Sequence, residues 1–290
     1  MKNGEVIDRI LAYHPNLLHY NGCDGYKCGS PEDECTGVAV ALVPTADVIE
    51  RAGKEGCNLI VTHEPIFYQT PDFPGWMGAF NNSVYEEKQK LIKKYNMTVW
   101  RDHDHMHAHQ PDAIFSGVIR ELGWEDYYVA PQKGDAISLF EFEMPETRIG
   151  DIAEHLKKTL NLNGLKYMGD MDKTVTKVAL VGHLFPNCFM QDGVDEDGYY
   201  NDYAMEIMRA MEQKGIELII PGEIIEWTVL AYIRDAIAMG KNMACISIGH
   251  FNLEELGMKD FTGVVNELLS EVANAPKVTY IQTEDGFNYV

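Results

Sequence analysis

Between Asp102 and His109 the chain packs four histidines (His103, His105, His107, His109) and two aspartates (Asp102, Asp104) into eight positions. Imidazole nitrogens and carboxylate oxygens are the donors that hold divalent transition ions. If the segment turns helically, His103 and His107 stand four apart and share a face, so both rings reach one ion or two adjacent ones. The same spacing recurs in His250 and Glu254. A carboxylate placed there can bridge two divalent ions about 3.5 to 4 Å apart.

The elements that position these donors follow from hydrophobic patterning. Short, apolar, β-branched runs at residues 37–43, 57–62, 97–100, 178–181, 216–220 and 243–248 predict buried strands, with helices between them at residues 44–55, 83–95, 203–213 and 227–238. Residues 6–11 and 149–160 carry helical spacing as well, residues 136–143 alternate as a half-exposed antiparallel strand does, and the Gly- and Cys-containing stretch 20–35 reads as a loop. The expected class is α/β, with two domains, mixed sheets flanked by helices and a metal site at the carboxyl ends of strands. One domain combines residues 1–130 with 241–290, and residues 131–240 are inserted as a second α/β domain. In open α/β sheets ligands collect beyond the carboxyl ends of strands. There this chain places His63-Glu64, then Asp102-His103, Gly182-His183, Gly222-Glu223 and Gly249-His250. Donors following separate strands converge by topology, which singles out His63, Glu64, His103, His107, His250 and Glu254 as ligands.

Plainer roles compete for several of these residues. A lone histidine after a strand, such as His183, commonly sits at a core edge, His105 and His109 can face solvent, and Glu254 can complement a helix dipole. Cys23, Cys28 and Cys35 lack the CxxC pair of structural zinc sites, and no phosphate-cradling or nucleophile-elbow motif is present. A formal net charge of −21, from 45 acidic against 24 Lys and Arg residues, repels a phosphate backbone and disfavours general nucleic-acid binding. No run of roughly 18 apolar residues argues for a membrane span, and six cysteines in 290 residues fit a reducing cytoplasm better than a disulfide scaffold.

Three segments, "CNLIVTHEPIFY", the His103–His107 stretch and "SIGHFNLEELGM", together resemble the NGG-interacting-factor-three-like family, also labelled GTP cyclohydrolase 1 type 2 homolog. "VGHLFPN" and "IIPGEI" fall where that family has glycine-containing turns after strands. The family's first block usually ends in two histidines and its second has an Asp four residues after the His. This chain carries Glu64 and His107 instead, an exchange that preserves the donor set and predicts that the two residues share one ion. The resemblance implies two divalent ions per chain (Zn, Fe or Mn), a two-domain α/β fold and a homo-oligomer, hexameric in the family. The resulting expectation is a metal-dependent hydrolase acting on a nucleotide or related small molecule, with His183 or His105 shuttling a proton. The alternative is a non-catalytic metal carrier or regulatory oligomeric scaffold.

Overall fold

The computed structural model describes the chain except residues 74, 76, 77, 79 and 187. In chain order the elements are α1 (Asn3–Tyr13), β1 (Gly25–Cys28), β2 (Val38–Ala41), α2 (Ala46–Lys54), β3 (Leu59–Thr62), α3 (Ser83–Lys94), β4 (Thr98–Arg101), α4 (Asp104–His107) and α5 (Ala113–Leu122). They continue with β5 (Tyr128–Val129), β6 (Leu139–Arg148), α6 (Ile149–Thr159), β7 (Lys166–Met168), β8 (Thr174–Leu184), β9 (Gly193–Val194), β10 (Tyr200–Asn201) and α7 (Tyr203–Lys214). The last are β11 (Leu218–Ile224), α8 (Val229–Ala238), β12 (Ala244–Ser247), α9 (His250–Leu269) and β13 (Val278–Tyr280). Two compact units divide them. Unit 1 is Met1–Val118 with Glu254–Glu284, and unit 2 is Ile119–Leu253 with Asp285–Val290.

Unit 1 carries a five-stranded sheet in the order β1-β4-β3-β2-β13. β4, β3, β2 and β13 are parallel, and β1 closes one edge antiparallel to β4. The strands VAVA, LIVT and TVWR are buried at every position, because a parallel sheet is covered on both faces and its strands read as unbroken apolar runs. Helix starts are set locally: Thr45 accepts from the Val48 N–H ahead of α2, and Asn82 accepts from the Tyr85 N–H ahead of α3. Thr62 and Arg101 are partners in register, so the chain leaves β3 and β4 side by side, at His63 and at Asp102.

Unit 2 has a six-stranded mixed sheet, β5-β6-β8-β11-β12-β7, and a two-stranded β9–β10 ribbon. The central β8, β11 and β12 are parallel, whereas β6 and β7 run antiparallel to their neighbours. Its core is apolar, built from residues such as Val181, Ile207, Ile219 and Ile233.

The α/β class with mixed, helix-flanked sheets is as the patterning indicates, and four details differ. Residues 25–28 pair with β4 although their Gly and Cys composition reads as loop, and β13, only three residues long, is invisible to periodicity. β12, expected in the first domain, pairs with β11 and β7 in the sheet of unit 2. The unit boundaries fall at 118/119, 253/254 and 284/285, where the expectation has 130/131 and 240/241, since a strand's identity is local but its pairing partner is a tertiary property.

Candidate metal centre

In unit 1, His63 leaves β3, His103 and His107 flank the single turn of α4 after β4, and Glu254 comes from α9. The His107 N–H bonds the His103 carbonyl, which closes that turn and puts both rings on one side. The imidazoles of His63 and His103 stack with centroids 4.4 Å apart, and His107 meets them edge-on at 4.9 and 4.7 Å. Two overlapping groups result, His63 with His103 and His107, and His63 with Glu64 and Glu254, each with potential ligand atoms within 4.8 Å of one another. His107 thus falls in the imidazole group and Glu64 in the carboxylate group.

The hydrogen bonds of the three rings share one feature. His63 Nδ1 donates to the Asp102 carbonyl at 3.1 Å, His103 Nδ1 lies 2.8 Å from Asp104 Oδ1, and His107 Nδ1 lies 2.7 Å from Asp112 Oδ2. Each acceptor can only accept, so each Nδ1 carries the proton and Nε2 carries the lone pair of the neutral ring. Fixing the tautomer from behind is how metal-binding imidazoles are oriented. His63 Nε2 is buried without a hydrogen-bond partner and stands 3.5 Å from Glu254 Oε2. No hydrogen bond joins them, and a buried lone pair faces a carboxylate, an arrangement a cation would satisfy.

The electrostatics differ among the three rings. Burial, then the neighbouring His103, holds His63 well below the usual histidine range and therefore neutral. Burial opposes charge on His107, but the hydrogen bond and charge of Asp112, with Glu254 and Glu64 adding, push it up to about 9. The His103 hydrogen bond, against the effect of burial, holds Asp104 well below the usual carboxylate range. Arg101, buried beneath the loop, donates from Nε to the His63 carbonyl at 3.0 Å and from Nη1 to the Thr70 carbonyl at 2.7 Å, with Nη2 3.7 Å from Glu64 Oε2.

His105, two residues from His103 and His107, turns the other way. Its Nδ1 lies 2.7 Å from Asp24 Oδ2, and Asp24 also accepts the backbone N–H groups of His103, Asp104 and His105. His109 shares a 2.7 Å hydrogen bond with His14, whose Nε2 lies 2.9 Å from the buried Asp102 Oδ2. Cys23 is grouped with His103 and Asp104, its Sγ 3.4 Å from Asp104 Oδ1, and all six cysteines are free thiols.

In unit 2, His250 is grouped with His183 and Glu223. His183 Nδ1 stands 3.3 Å from Glu223 Oε2, and His250 Nδ1 stands 3.3 Å from Glu223 Oε1. His183 and then His250 hold the Glu223 carboxyl well below its usual range. Asp24, Asp112 and Glu223 are the partners that sequence reasoning left out of the site. Asp24 is brought in by tertiary structure, whereas Glu223, which follows a strand, and Asp112, five residues after His107, each had a local signal.

These observations define a two-unit α/β protein with histidine and carboxylate groups that could bind metal ions. Residues 1–195 match the Duf34/NIF3 (NGG1p interacting factor 3) family, and the chain belongs to it. A "GTP cyclohydrolase 1 type 2 homolog" from Clostridium acetobutylicum is 24% identical over 236 residues, covering 79% of this chain and 76% of its own. One from Clostridium perfringens is 25% identical over 263 residues, 88% of this chain and 87% of its own. The solved structure of a Bacillus cereus protein related to NIF3 matches in fold, with a TM-score of 0.72 at 15% identity over 100% of this chain and 99% of that one. Among the described residues no helix is long and apolar enough to cross a membrane.

Proposed function

We propose that His63, Glu64, His103, His107 and Glu254 hold two divalent ions and that the protein is a metal-dependent hydrolase acting on a nucleotide or a related small molecule. The observation that carries the reading is the triple tie of Nδ1 to an acceptor, with the buried His63 Nε2 facing Glu254. Three imidazoles, with His107 giving up its proton to an incoming ion, and two carboxylates suit zinc, iron or manganese better than magnesium, which takes mostly oxygen donors.

Bound divalent ions supply a water of lowered pKa and electrophilic polarisation of the substrate. The chain's own residues do the rest. Asp102, Asp104 and Asp112 fix ring orientation from behind, and Arg101 anchors the His63-Glu64 turn from beneath. Two carboxylates against two divalent ions leave a formal charge of about +2, which favours an anionic substrate despite the acidic surface. The names of the two clostridial relatives support a nucleotide in particular.

The test is elemental analysis of freshly purified chain, followed by an activity screen over nucleotides, phosphoesters and amides with the metals present and after chelation. The expected result is bound transition metal and turnover that chelation abolishes. Bound metal without turnover of any of these classes would favour the carrier reading, and absence of bound metal would overturn the proposal.

A further inference from the structure

Lys27 is the one residue of β1 that has no partner on β4. Gly25 and Tyr26 pair with Arg101 and Trp100, and Cys28 pairs with Val99, so the register shifts at Lys27 and the strand carries a bulge there. A bulge at a sheet edge takes the inserted residue out of the regular ladder and re-aims its side chain. β1 is such an edge, and its neighbour β4 is the strand that delivers the chain to Asp102 and His103. Lys27 is only 7% exposed, a burial that lysines rarely adopt without a partner.

Burial holds its ammonium below the usual lysine range, and the charged or ionisable groups that act on it are Asp72, Arg101, Cys23 and Asp24. Three of these border the metal centre: Arg101 lies beneath the His63-Glu64 turn, Cys23 Sγ is 3.4 Å from Asp104 Oδ1, and Asp24 gathers the N–H groups of residues 103–105. The carboxylates are already committed to other donors. Asp72 accepts the Ile66 and Phe67 N–H groups at 3.0 and 2.8 Å, and Asp24 holds the His105 ring as well as its three N–H groups. Arg101 gives its guanidinium to the His63 and Thr70 carbonyls. Among the described residues Lys27 makes no hydrogen bond and no ion pair. A buried cation without a counter-ion is costly, and a bound anion removes that cost.

We infer that Lys27 receives the phosphoryl group of the substrate beside the proposed metal centre, and so directs the hydrolase to phosphate esters and nucleotides over neutral heterocycles. The substrate's place beside the centre rests on the reading of unit 1 as a metal site, whereas the need of Lys27 for an anion does not. An ammonium is a compact point charge with three donors, a form suited to phosphate oxygens. Charge balance favours a phosphoryl group over a carboxylate. The proposed centre leaves a formal charge of about +2 and Lys27 raises it to about +3, which a phosphoryl group of about −1.5 to −2 offsets further than a singly charged carboxylate does.

The test is calorimetric titration with inorganic phosphate of the full-length chain, loaded with Zn2+ and freed of the excess, for the unchanged chain, Lys27→Met and Lys27→Arg. Lys27→Met keeps the apolar stem and removes the charge, and should weaken phosphate binding by about 10-fold or more with the zinc content unchanged. Lys27→Arg restores a cation and should recover most of the affinity. If Lys27→Met binds phosphate as tightly as the unchanged chain at the same zinc content, the inference is overturned and the metal centre stands. Loss of zinc together with phosphate in Lys27→Met would make the side chain a support of the donor shell and would overturn the inference as well. If the unchanged chain holds no zinc, the centre of unit 1 fails by itself; phosphate binding that still depends on Lys27 then leaves the anion site standing, and its absence overturns both.

Discussion

Units 1 and 2 both carry imidazoles and carboxylates at the carboxyl ends of parallel strands, yet they bury them differently. Among the described residues, every buried polar or charged residue except Asp202 belongs to unit 1, including His14, His63, Lys88, Arg101, Asp102 and Glu254. Unit 2 keeps an apolar core and holds its donors nearer the surface, with the His183, His250 and Glu223 side chains 20, 17 and 48% exposed. Burying ionisable groups costs free energy unless they are paired. Most of those in unit 1 are paired, often to a group that orients another: Arg101 on the His63 carbonyl, Asp102 under His63 and His14, Asp112 behind His107. The contrast teaches that the imidazoles of unit 1 are held by hydrogen bonds from behind, whereas in unit 2 the register of β8 and β11 pairs His183 with Glu223 and the start of α9 adds His250.

That contrast can be broken at several points. The largest effect is expected from His63→Ala, which removes the donor common to both groups of unit 1: metal retention there should fall by at least about two orders of magnitude, measured by competition with a chromogenic chelator. Next is the cost of buried charge. Lys88 is 3% exposed, donates to the Ile66 carbonyl at 2.5 Å, and is lowered by burial from 10.5 to about 8. Between pH 8 and 10.5 the unfolded chain binds more protons at this lysine than the folded chain, so its penalty is full below pH 8 and is relieved as pH rises. The difference in unfolding free energy between the unchanged chain and Lys88→Met should therefore shift by about 3 kcal/mol across that window, read from urea denaturation at a series of pH values. A difference that stays constant with pH would mean that Lys88 is solvated like a surface lysine.

Asp112→Asn tests the orientation of His107 from behind. Metal affinity in unit 1 should drop roughly 10- to 100-fold with the melting temperature of the metal-free chain unchanged. An unchanged affinity would mean that Asp112 does not orient the ring. The smallest effect concerns backbone packing in unit 2. Gly222→Ala, whose Cβ would lie 2.4 Å from the Gly182 carbonyl oxygen, should destabilise the chain by about 1–3 kcal/mol and lower its melting temperature. An unchanged melting temperature would show that β8 and β11 separate easily at that point.

Much of this arrangement is legible in the residues, for identifiable reasons. VAVA and LIVT are recognisable because strands covered on both faces leave no room for polar residues. The donors that follow them are found by looking beyond the carboxyl ends. The i, i+4 spacing correctly separates His103 and His107 from His105, which the turn sends toward Asp24. What stays hidden is pairing at a distance. Nothing near Cys23 announces that Asp24 will gather three backbone N–H groups from residues 103–105, and the apolar run at 243–248 does not say which sheet it joins. The grouping of His250 with Glu223 and His183, rather than by its spacing to Glu254, is hidden for the same reason.

The central claim is the proposal that the donor groups of unit 1, which overlap at His63, hold two ions, with Glu254 as the bridging carboxylate. Its most direct test is the metal content per chain of the unchanged protein and of Glu254→Ala, purified in parallel from metal-replete culture and measured by elemental analysis. Removing that carboxylate leaves two cations facing each other with less compensating charge. The account predicts that Glu254→Ala contains two fewer ions than the unchanged chain, and undiminished metal in the variant would contradict it.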